Sequence, residues 1–252
     1  MAQRSRKKNF RLLTWNLWFD EQLQVERLHS VLSYIVHLQP DIIAFQELTF
    51  VSENFFDNKT LPFNDIYHKV PKNIVDKSWY WEGIYTRFEF NSRFTRIPFQ
   101  NSKMGRGLTI VHFPELDLVV GSTHLESEDK HETRRLQFSE ALDHFSYFQT
   151  GNKIIAGDTN VREEEDVNDL LPENWADAWE ELMPNDPGYT VDSGKNPMGP
   201  GDRRQRLDRV FYCCRDFKPQ RIRLVGTDPV KKENETFFPS DHFGLLVDFL
   251  HQ

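Results

Sequence analysis

The sequence predicts an α/β fold in which two packed sheets are flanked by helices. Many short β-prone runs are separated by turn residues, a few amphipathic helices fall between them, and no Gly/Ser-rich or Pro-rich linker interrupts the 252 residues. That length suits one large sandwich-like domain. Apolar material is ample for its core, with hydrophobic residues at 38% and 21 Phe and 6 Trp.

In chain order, Phe10 to Trp15 is an apolar, β-prone run, and Leu23 to Leu38 then carries Val25, Leu28, Leu32, Ile35 and Val36 at helical spacing. Pro40 stops that helix, and Ile42 to Phe45 is a short continuous apolar run of the kind a buried strand shows, with Glu47 expected just past its end. Gly83 to Arg87, Arg93 to Phe99, Leu108 to His112 and Leu118 to Ser122 form a predicted meander, punctuated by Asn, Gly and Pro. A helix is predicted over Thr133 to Phe148, ended by Gly151, and a strand over Lys153 to Ala156 exits into the loop Gly157 to Asn160. A loop-rich region around Trp175, Trp179 and Tyr189 precedes predicted strands near Leu207 to Tyr212 and Gly244 to Phe249. The spacing of Trp175 and Trp179 reads as one buried helix face.

Composition narrows the class. Apolar stretches such as Gly244 to Leu250 are too short to cross a bilayer, and the N-terminus opens on Arg4, Arg6, Lys7 and Lys8 where a signal peptide needs an apolar segment. Residues 1–8 are read as a disordered basic arm and 9–252 as the folded domain. The adjacent Cys213 and Cys214 point to opposite sides of a strand, so a bridge between them is strained; both are expected to be reduced, in an intracellular protein. The sequons at Asn58 and Asn234 carry no weight without secretion. With 31 basic and 39 acidic residues the net charge is −8, which argues against coating nucleic acid by bulk electrostatics and leaves local contacts open.

Polar residues recur at the ends of the buried strands: Asn16 after Leu12 and Leu13, Glu47 after Ile42 to Phe45, and Asp158 and Asn160 after Ile154 and Ile155. Any one alone is an ordinary turn residue; the set points to a site. His242 follows Ser240 and Asp241 at the start of the last apolar run, and Asp208 opens a strand where a lone charge is costly, so His242 is its candidate partner.

Thr14-Trp15-Asn16, Gln46-Glu47, Thr123-His124-Leu125-Glu126-Ser127, Gly157-Asp158-Thr159-Asn160, Arg206-Leu207-Asp208-Arg209 and Ser240-Asp241-His242 resemble, in order, the motif set of the endonuclease/exonuclease/phosphatase superfamily. The resemblance implies a four-layer α-β-β-α sandwich of two packed mixed sheets, with 9–252 as the catalytic domain. His124 to Ser127, Asp158 to Arg162 and Asn101 to Arg106 are most similar to the 5′-tyrosyl-DNA phosphodiesterase branch. What that implies is a Mg²⁺-dependent enzyme, with Mn²⁺ as a substitute, that cleaves the phosphotyrosyl bond at DNA 5′ ends. It would release topoisomerase-derived peptide adducts as a monomer, in the nucleus, the cytoplasm or both, without a membrane.

By the same resemblance, Glu47 and Asn16 hold the metal, Asp158 takes a proton from the attacking water, and Asn160 orients that water or donates to the phosphate. His242, held by Asp208, stabilises the phosphoryl group, and Asp241 supports the set from behind. His124, Leu125, Glu126, Ser127, Arg162, Arg106 and Trp18 are the candidate substrate contacts. Arg134, Arg135, Arg203, Arg204, Arg206 and Arg209 are basic clusters read as solvated salt bridges or as guides for a DNA strand. Two departures stand out. Trp18 occupies a position that is acidic in some members, and Val191 one that is aromatic, so contacts made there do not carry over. The alternatives are another phosphodiesterase of the superfamily, such as an abasic-site endonuclease, and a non-catalytic nucleic-acid-binding member.

Overall fold

A computed structural model describes residues 9–71, 79–90, 96–165, 167–199, 201–233 and 235–252. The basic arm 1–8, the start of the strand expected from Arg93 and the sequon at Asn234 lie outside them. The elements are, in order, β1 (Phe10–Asn16), α1 (Gln24–Leu38), β2 (Ile42–Thr49), α2 (Phe50–Phe56), β3 (His68–Lys69), β4 (Tyr80–Thr86), β5 (Arg96–Pro98), β6 (Gly107–Phe113) and β7 (Leu118–His124). Then come α3 (His131–Ser146), β8 (Asn152–Asp158), β9 (Ala176–Asp177), α4 (Ala178–Leu182), β10 (Val191–Asp192), β11 (Arg204–Gln205), β12 (Asp208–Cys214), β13 (Phe217–Val225), β14 (Val230–Lys232), β15 (Glu235–Phe237) and β16 (Gly244–His251).

Among the described residues the strands make two six-stranded sheets, ordered β13-β16-β1-β2-β4-β3 and β5-β6-β7-β8-β12-β9, and two small ribbons. Each large sheet contains one parallel pair, β1 with β2 and β7 with β8. A parallel pair needs a long crossover, and here α1 and α3 supply it. The sheets pack face to face through Leu12, Ala44, Val120, Ile154, Val210 and Val247. The outer face of the first sheet, with Leu13, Trp15 and Phe45, is covered by Leu28, Val31 and Ile35 of α1. The outer face of the second, with Val119, Ile155 and Phe211, is covered by Phe138, Ala141 and Phe145 of α3. This is the expected α-β-β-α layering. Because both faces of each sheet are buried, the strands read as unbroken apolar runs. No helix among the described residues is long and apolar enough to cross a membrane.

Three expectations change. Glu47 does not follow a strand; it lies inside β2, where the pairing with β4 shifts register between Phe45 and Leu48 and Glu47 takes a positive φ of 58°. Trp175 and Trp179 do not share a helix face: Trp175 precedes β9 and packs with Phe145 in the α3 layer, whereas Trp179 of α4 lies between the sheets. Strand β13 is absent from the sequence reading because it is an edge strand. Among the described residues it pairs only with β16, carries Pro219 next to a register shift, and exposes Lys218, Gln220 and Arg221, which hides its period.

Strand parity aims the residues that matter. Leu12 faces the other sheet and Leu13 faces α1, so Thr14 and Asn16 face inward. Likewise Ile154, Ala156 and Asp158 of β8 face inward, and Gly157, before Asp158, holds φ at +148°. A Cβ on Gly157 would stand 2.0 Å from the Thr123 carbonyl oxygen. Gly157→Ala should therefore cost about 3 kcal/mol or more, lowering the melting temperature by roughly 10 °C. Thermal unfolding followed by circular dichroism measures this, and a variant as stable as the parent would contradict the close approach.

Candidate active site

Asn16 ends β1, Glu47 lies near the end of β2, His124 ends β7 and Asp158 ends β8. The carboxyl ends of both parallel pairs thus meet at one edge of the sandwich, where open α/β sheets commonly gather ligands. Asp208 starts β12 directly opposite Asp158 in the ladder, and His124 faces Asp158 from the other side. His242 arrives from the loop before β16. The cavity at this edge measures about 760 Å³, and Glu47, His124, Asp158, Asn160, Asp241 and His242 all line it.

Asp158 is the hub. Its Oδ2 accepts a hydrogen bond from Asn16 Nδ2 at 2.9 Å, across the gap between the sheets, and lies 3.2 Å from His124 Nε2 and 3.9 Å from His242 Nε2. Its Oδ1 accepts from the Asn160 backbone amide at 2.9 Å, and Asn160 in turn donates from its side chain to the Leu125 carbonyl at 3.1 Å. Burial pushes the Asp158 carboxyl up, but His124, His242 and the Asn16 bond outweigh it and hold the group well below the usual carboxylate range. A carboxylate so stabilised stays ionised throughout the neutral range.

His242 is held by Asp208, whose Oδ2 lies 2.8 Å from His242 Nδ1. Burial alone would lower this imidazole; Asp208, Asp241 and Asp158 reverse that and raise it well above its ordinary value. A ring so raised gives its Nδ1 edge to Asp208 and turns Nε2 toward the pocket, 3.9 Å from Asp158. The loop that presents it is fastened at several points. Trp15 Nε1 donates to the His242 carbonyl at 3.0 Å, Ser240 Oγ to the Asn16 carbonyl at 2.6 Å, and the Phe243 amide to the Thr190 carbonyl at 2.7 Å. The Thr190 hydroxyl also accepts from the Leu207 and Asp208 amides, at 3.0 and 3.1 Å.

Glu47 reaches the pocket only through its bulge. Strict alternation would turn it toward α1; with Gln46 and Glu47 both turned inward, Leu48 returns to the α1 layer. Glu47 Oε2 accepts from the Phe19 amide at 2.9 Å, and Oε1 lies 4.0 Å from both Arg106 and His124. Gln46, also buried, joins the sheets by donating to Thr14 Oγ1 and Ser122 Oγ, each at 3.1 Å. Arg106 Nη1 lies 2.5 Å from His124 Nδ1. A guanidinium only donates, so Nδ1 accepts and Nε2 carries the proton aimed at Asp158.

The structure therefore gathers Asn16, Trp18, Glu47, Arg106, His124, Ser127, Asp158, Asn160 and His242 around one cavity, with Asp208 behind it. Others fall differently. Leu125 is a core residue of the α3 layer, and Glu126 is turned to the loop before β6, accepting from Ser102 Oγ at 2.7 Å and the Lys103 amide at 2.8 Å. Arg162 is paired to Asp129 at 3.0 Å, outside the residues that line the cavity. Asp241, expected behind the site, lines it instead. Arg134 is buried against Glu165 at 2.8 Å, and Arg206 and Arg209 against Asp177 at 2.6 and 3.2 Å, so these three are internal ion pairs.

Residues to which sequence reasoning gave no role are Gln46, Ser122, Thr190 and Arg27. Arg27 of α1 is buried and donates to the carbonyls of Leu17 (2.9 Å), Trp18 (3.0 Å), Gln22 (2.8 Å) and Asp20, closing the loop after β1. Its place one turn before Val31 on the apolar face was the available signal. Asp158, Asp208 and His242 also offer ligand atoms within 4.8 Å of one another. Glu47 and Asp241, which line the same cavity, add two further carboxylates beside that group.

A model of the Endonuclease/Exonuclease/phosphatase family matches residues 13–242. Tyrosyl-DNA phosphodiesterase 2 of Bos taurus is 31% identical over 253 residues, covering 94% of this chain and 66% of the relative. The Homo sapiens protein of that name is 30% identical, covering 98% of this chain and 70% of the relative. The chain thus spans about two thirds of these relatives' length. Among solved structures, TDP2 of D. rerio complexed with single strand DNA product superposes with a TM-score of 0.82 at 26% identity, covering 96% of this chain and 99% of that one.

Burial beside Glu47 and Asp158 lifts the Asp241 carboxyl to about 6, although His242 and Arg27 pull it down. Between the ordinary carboxylate range and that value, the folded chain keeps a proton the unfolded chain has lost. Ionising Asp241 therefore costs stability as pH rises through this window, and above it the cost is present in full. A divalent cation at these carboxylates should relieve it. Millimolar Mg²⁺ is expected to raise the melting temperature by several degrees at about pH 7.5 and by much less at about pH 5. Scanning calorimetry at both values decides it, and equal shifts would count against a cation at this carboxylate cluster.

Proposed function

The chain belongs to the endonuclease/exonuclease/phosphatase family, and we propose that it is a Mg²⁺-dependent phosphodiesterase that hydrolyses the phosphotyrosyl bond at DNA 5′ ends, freeing topoisomerase-derived peptide adducts for repair. The observation that carries this reading is the convergence on one cavity of Glu47, His124, Asp158, Asn160 and His242, drawn from both sheets, with His124, Asn160 and His242 grouped around Asp158. The similarity to tyrosyl-DNA phosphodiesterase 2 supports the substrate class. The reading has the enzyme act as a monomer in the nucleus, the cytoplasm or both.

The donors present fit Mg²⁺, with Mn²⁺ as a substitute: Glu47, Asp158 and Asp241 bring hard carboxylate oxygens to one cavity. Glu47 and Asp241 would hold the ion, which when bound neutralises charge on the phosphoryl oxygens. Both polar atoms of Asn16 are engaged, Nδ2 with Asp158 and Oδ1 with the Trp18 amide at 2.9 Å, so its first role is to fix Asp158.

Asp158 and Asn160 face the attacking water. Being held ionised, Asp158 is a weak base in the resting site; it offers the water a fixed acceptor that orients the nucleophile and takes its proton as the O–P bond forms. His242 donates Nε2–H to a phosphoryl oxygen as negative charge gathers there, a charge-assisted bond about twice as strong as a neutral one. Tyrosine then leaves as a phenolate, with a pKa of about 10, so no dedicated acid is required.

Purified protein should release tyrosine from a 5′-tyrosyl oligonucleotide only with Mg²⁺ or Mn²⁺, and far faster than it cleaves an abasic duplex or an inositol phosphate. Equal or reversed rates would refute the substrate assignment. Asp158→Asn should lower kcat by about 10³-fold or more while leaving oligonucleotide affinity near that of the parent. Substantial residual turnover would remove Asp158 from the chemistry.

A further inference from the structure

A second cavity, of about 550 Å³, plays no part in the chemistry above. One wall is the segment after β8, with Glu163 and Glu164; the other is α4 and the turn behind it, with Met183, Pro184 and Asp186. Asn160 lines the catalytic cavity and Glu163 this one. Three residues span at most about 11 Å of chain, so the two cavities are neighbours. Both walls are held in place. Trp179 Nε1 donates to the Asp186 carbonyl at 2.8 Å, and Asp186 Oδ1 accepts from the Gly188 amide at 2.8 Å, where the chain turns at a φ of 64°. Asn168 Nδ2 donates to Glu180 Oε2 at 3.2 Å and ties one wall to the other.

Charge there does not balance. On the floor Arg206 and Arg209 share Asp177, at 2.6 and 3.2 Å, and Glu180, at 2.6 and 3.5 Å, so two cations meet two carboxylates. Glu165 is spent on Arg134. Glu163, Glu164 and Asp186 are exposed, and among the described residues no ion pair holds any of them. The rim is therefore acidic beyond what its own cations neutralise. Arg209, only 6% exposed, also lines the cavity, and its buried Nε has no hydrogen-bond partner among the described residues, which leaves the floor one acceptor short. A peptide bearing lysine or arginine meets each of these needs. Its cation suits the rim, its aliphatic stem the faces of Met183 and Pro184, and its backbone carbonyl the Arg209 N–H. Of the two polymers joined at a phosphotyrosyl bond, DNA is repelled by such a rim, whereas a basic peptide is drawn to it.

We infer that this acidic cavity docks a basic segment of the protein adduct, the peptide that departs with the tyrosine. This rests on the phosphodiesterase reading and adds a preference about its leaving group. Adducts with lysine or arginine near the tyrosine are the better substrates, and the preference comes from Glu163, Glu164 and Asp186, none of which lines the catalytic cavity.

The test uses 5′-adducted oligonucleotides whose tyrosine sits in a short peptide, flanked by lysines in one substrate and by serines in the other. The parent should favour the lysine form by about fivefold in kcat/KM at low salt, the range of a few exposed ion pairs. Glu163→Gln/Glu164→Gln should bring that ratio close to one. Glu115→Gln/Asp143→Asn removes the same charge from exposed positions elsewhere and should keep the ratio. A parent ratio of one, a ratio that Glu163→Gln/Glu164→Gln leaves unchanged, or one that both double variants lower alike, would overturn the docking site while hydrolysis stands. If neither substrate is cleaved, hydrolysis fails. The ratio of affinities for the two free peptides, measured by fluorescence anisotropy on the parent and both variants, then decides the docking site by the same criteria.

Discussion

Asp158 is buried at the seam between two sheets, and a carboxylate there is tolerable only because donors reach it from both sides. Asn16 comes from the first sheet, at 2.9 Å, and His124 and the Asn160 amide from the second, at 3.2 and 2.9 Å. Without them the desolvation of the charge would cost several kcal/mol or force it to take a proton. The same contacts fix the distance between the sheets at the edge where the cavity opens, aided by Gln46 bridging Thr14 and Ser122. Packing of the apolar inner faces sets the sandwich; this polar seam sets its register at the site.

Part of the backbone strain lies at that seam. Trp18, Glu47 and Asn160 all have positive φ, at 54°, 58° and 51°, and Gly157 is a further outlier. Each such non-glycine residue costs about 1 kcal/mol or more, and each here re-aims a side chain or amide that regular geometry would turn away. The bulge at Glu47 is the clearest case, since a regular strand would bury that carboxylate against α1. The surrounding hydrogen bonds hold these conformations in place, with Phe19 on Glu47, Asp158 on Asn160 and Arg27 on the loop carrying Trp18.

A second chain of contacts starts at Glu126, which gathers the loop 102–106 and thereby seats Arg106. Arg106 fixes the ring of His124, and His124 aims its proton at Asp158. A residue outside the lining of the cavity is thus linked to the centre through two intermediates, and Arg106 spends its charge internally while also capping the Tyr80 ring.

The amino-acid order by itself determined the layers, because period and length of apolar runs dictate which segments are strands buried on both faces and which are helices covering them. It also marked Asn16, Glu47, Asp158, Asn160 and His242, since polar residues recurring beside apolar, strand-like runs are conspicuous as a set, and the pairing of Asp208 with His242 followed from the cost of a lone buried charge. Edge strand β13, with Pro219 and its exposed charges, broke the period and stayed hidden. Only the tertiary structure decided which neighbours face the cavity: it brought in Asp241 and Trp79, and turned Leu125, Glu126 and Arg162 to other partners. The reason is that aim depends on bulges, positive φ values and partners more than a hundred residues away, none of which leaves a periodic trace in the chain.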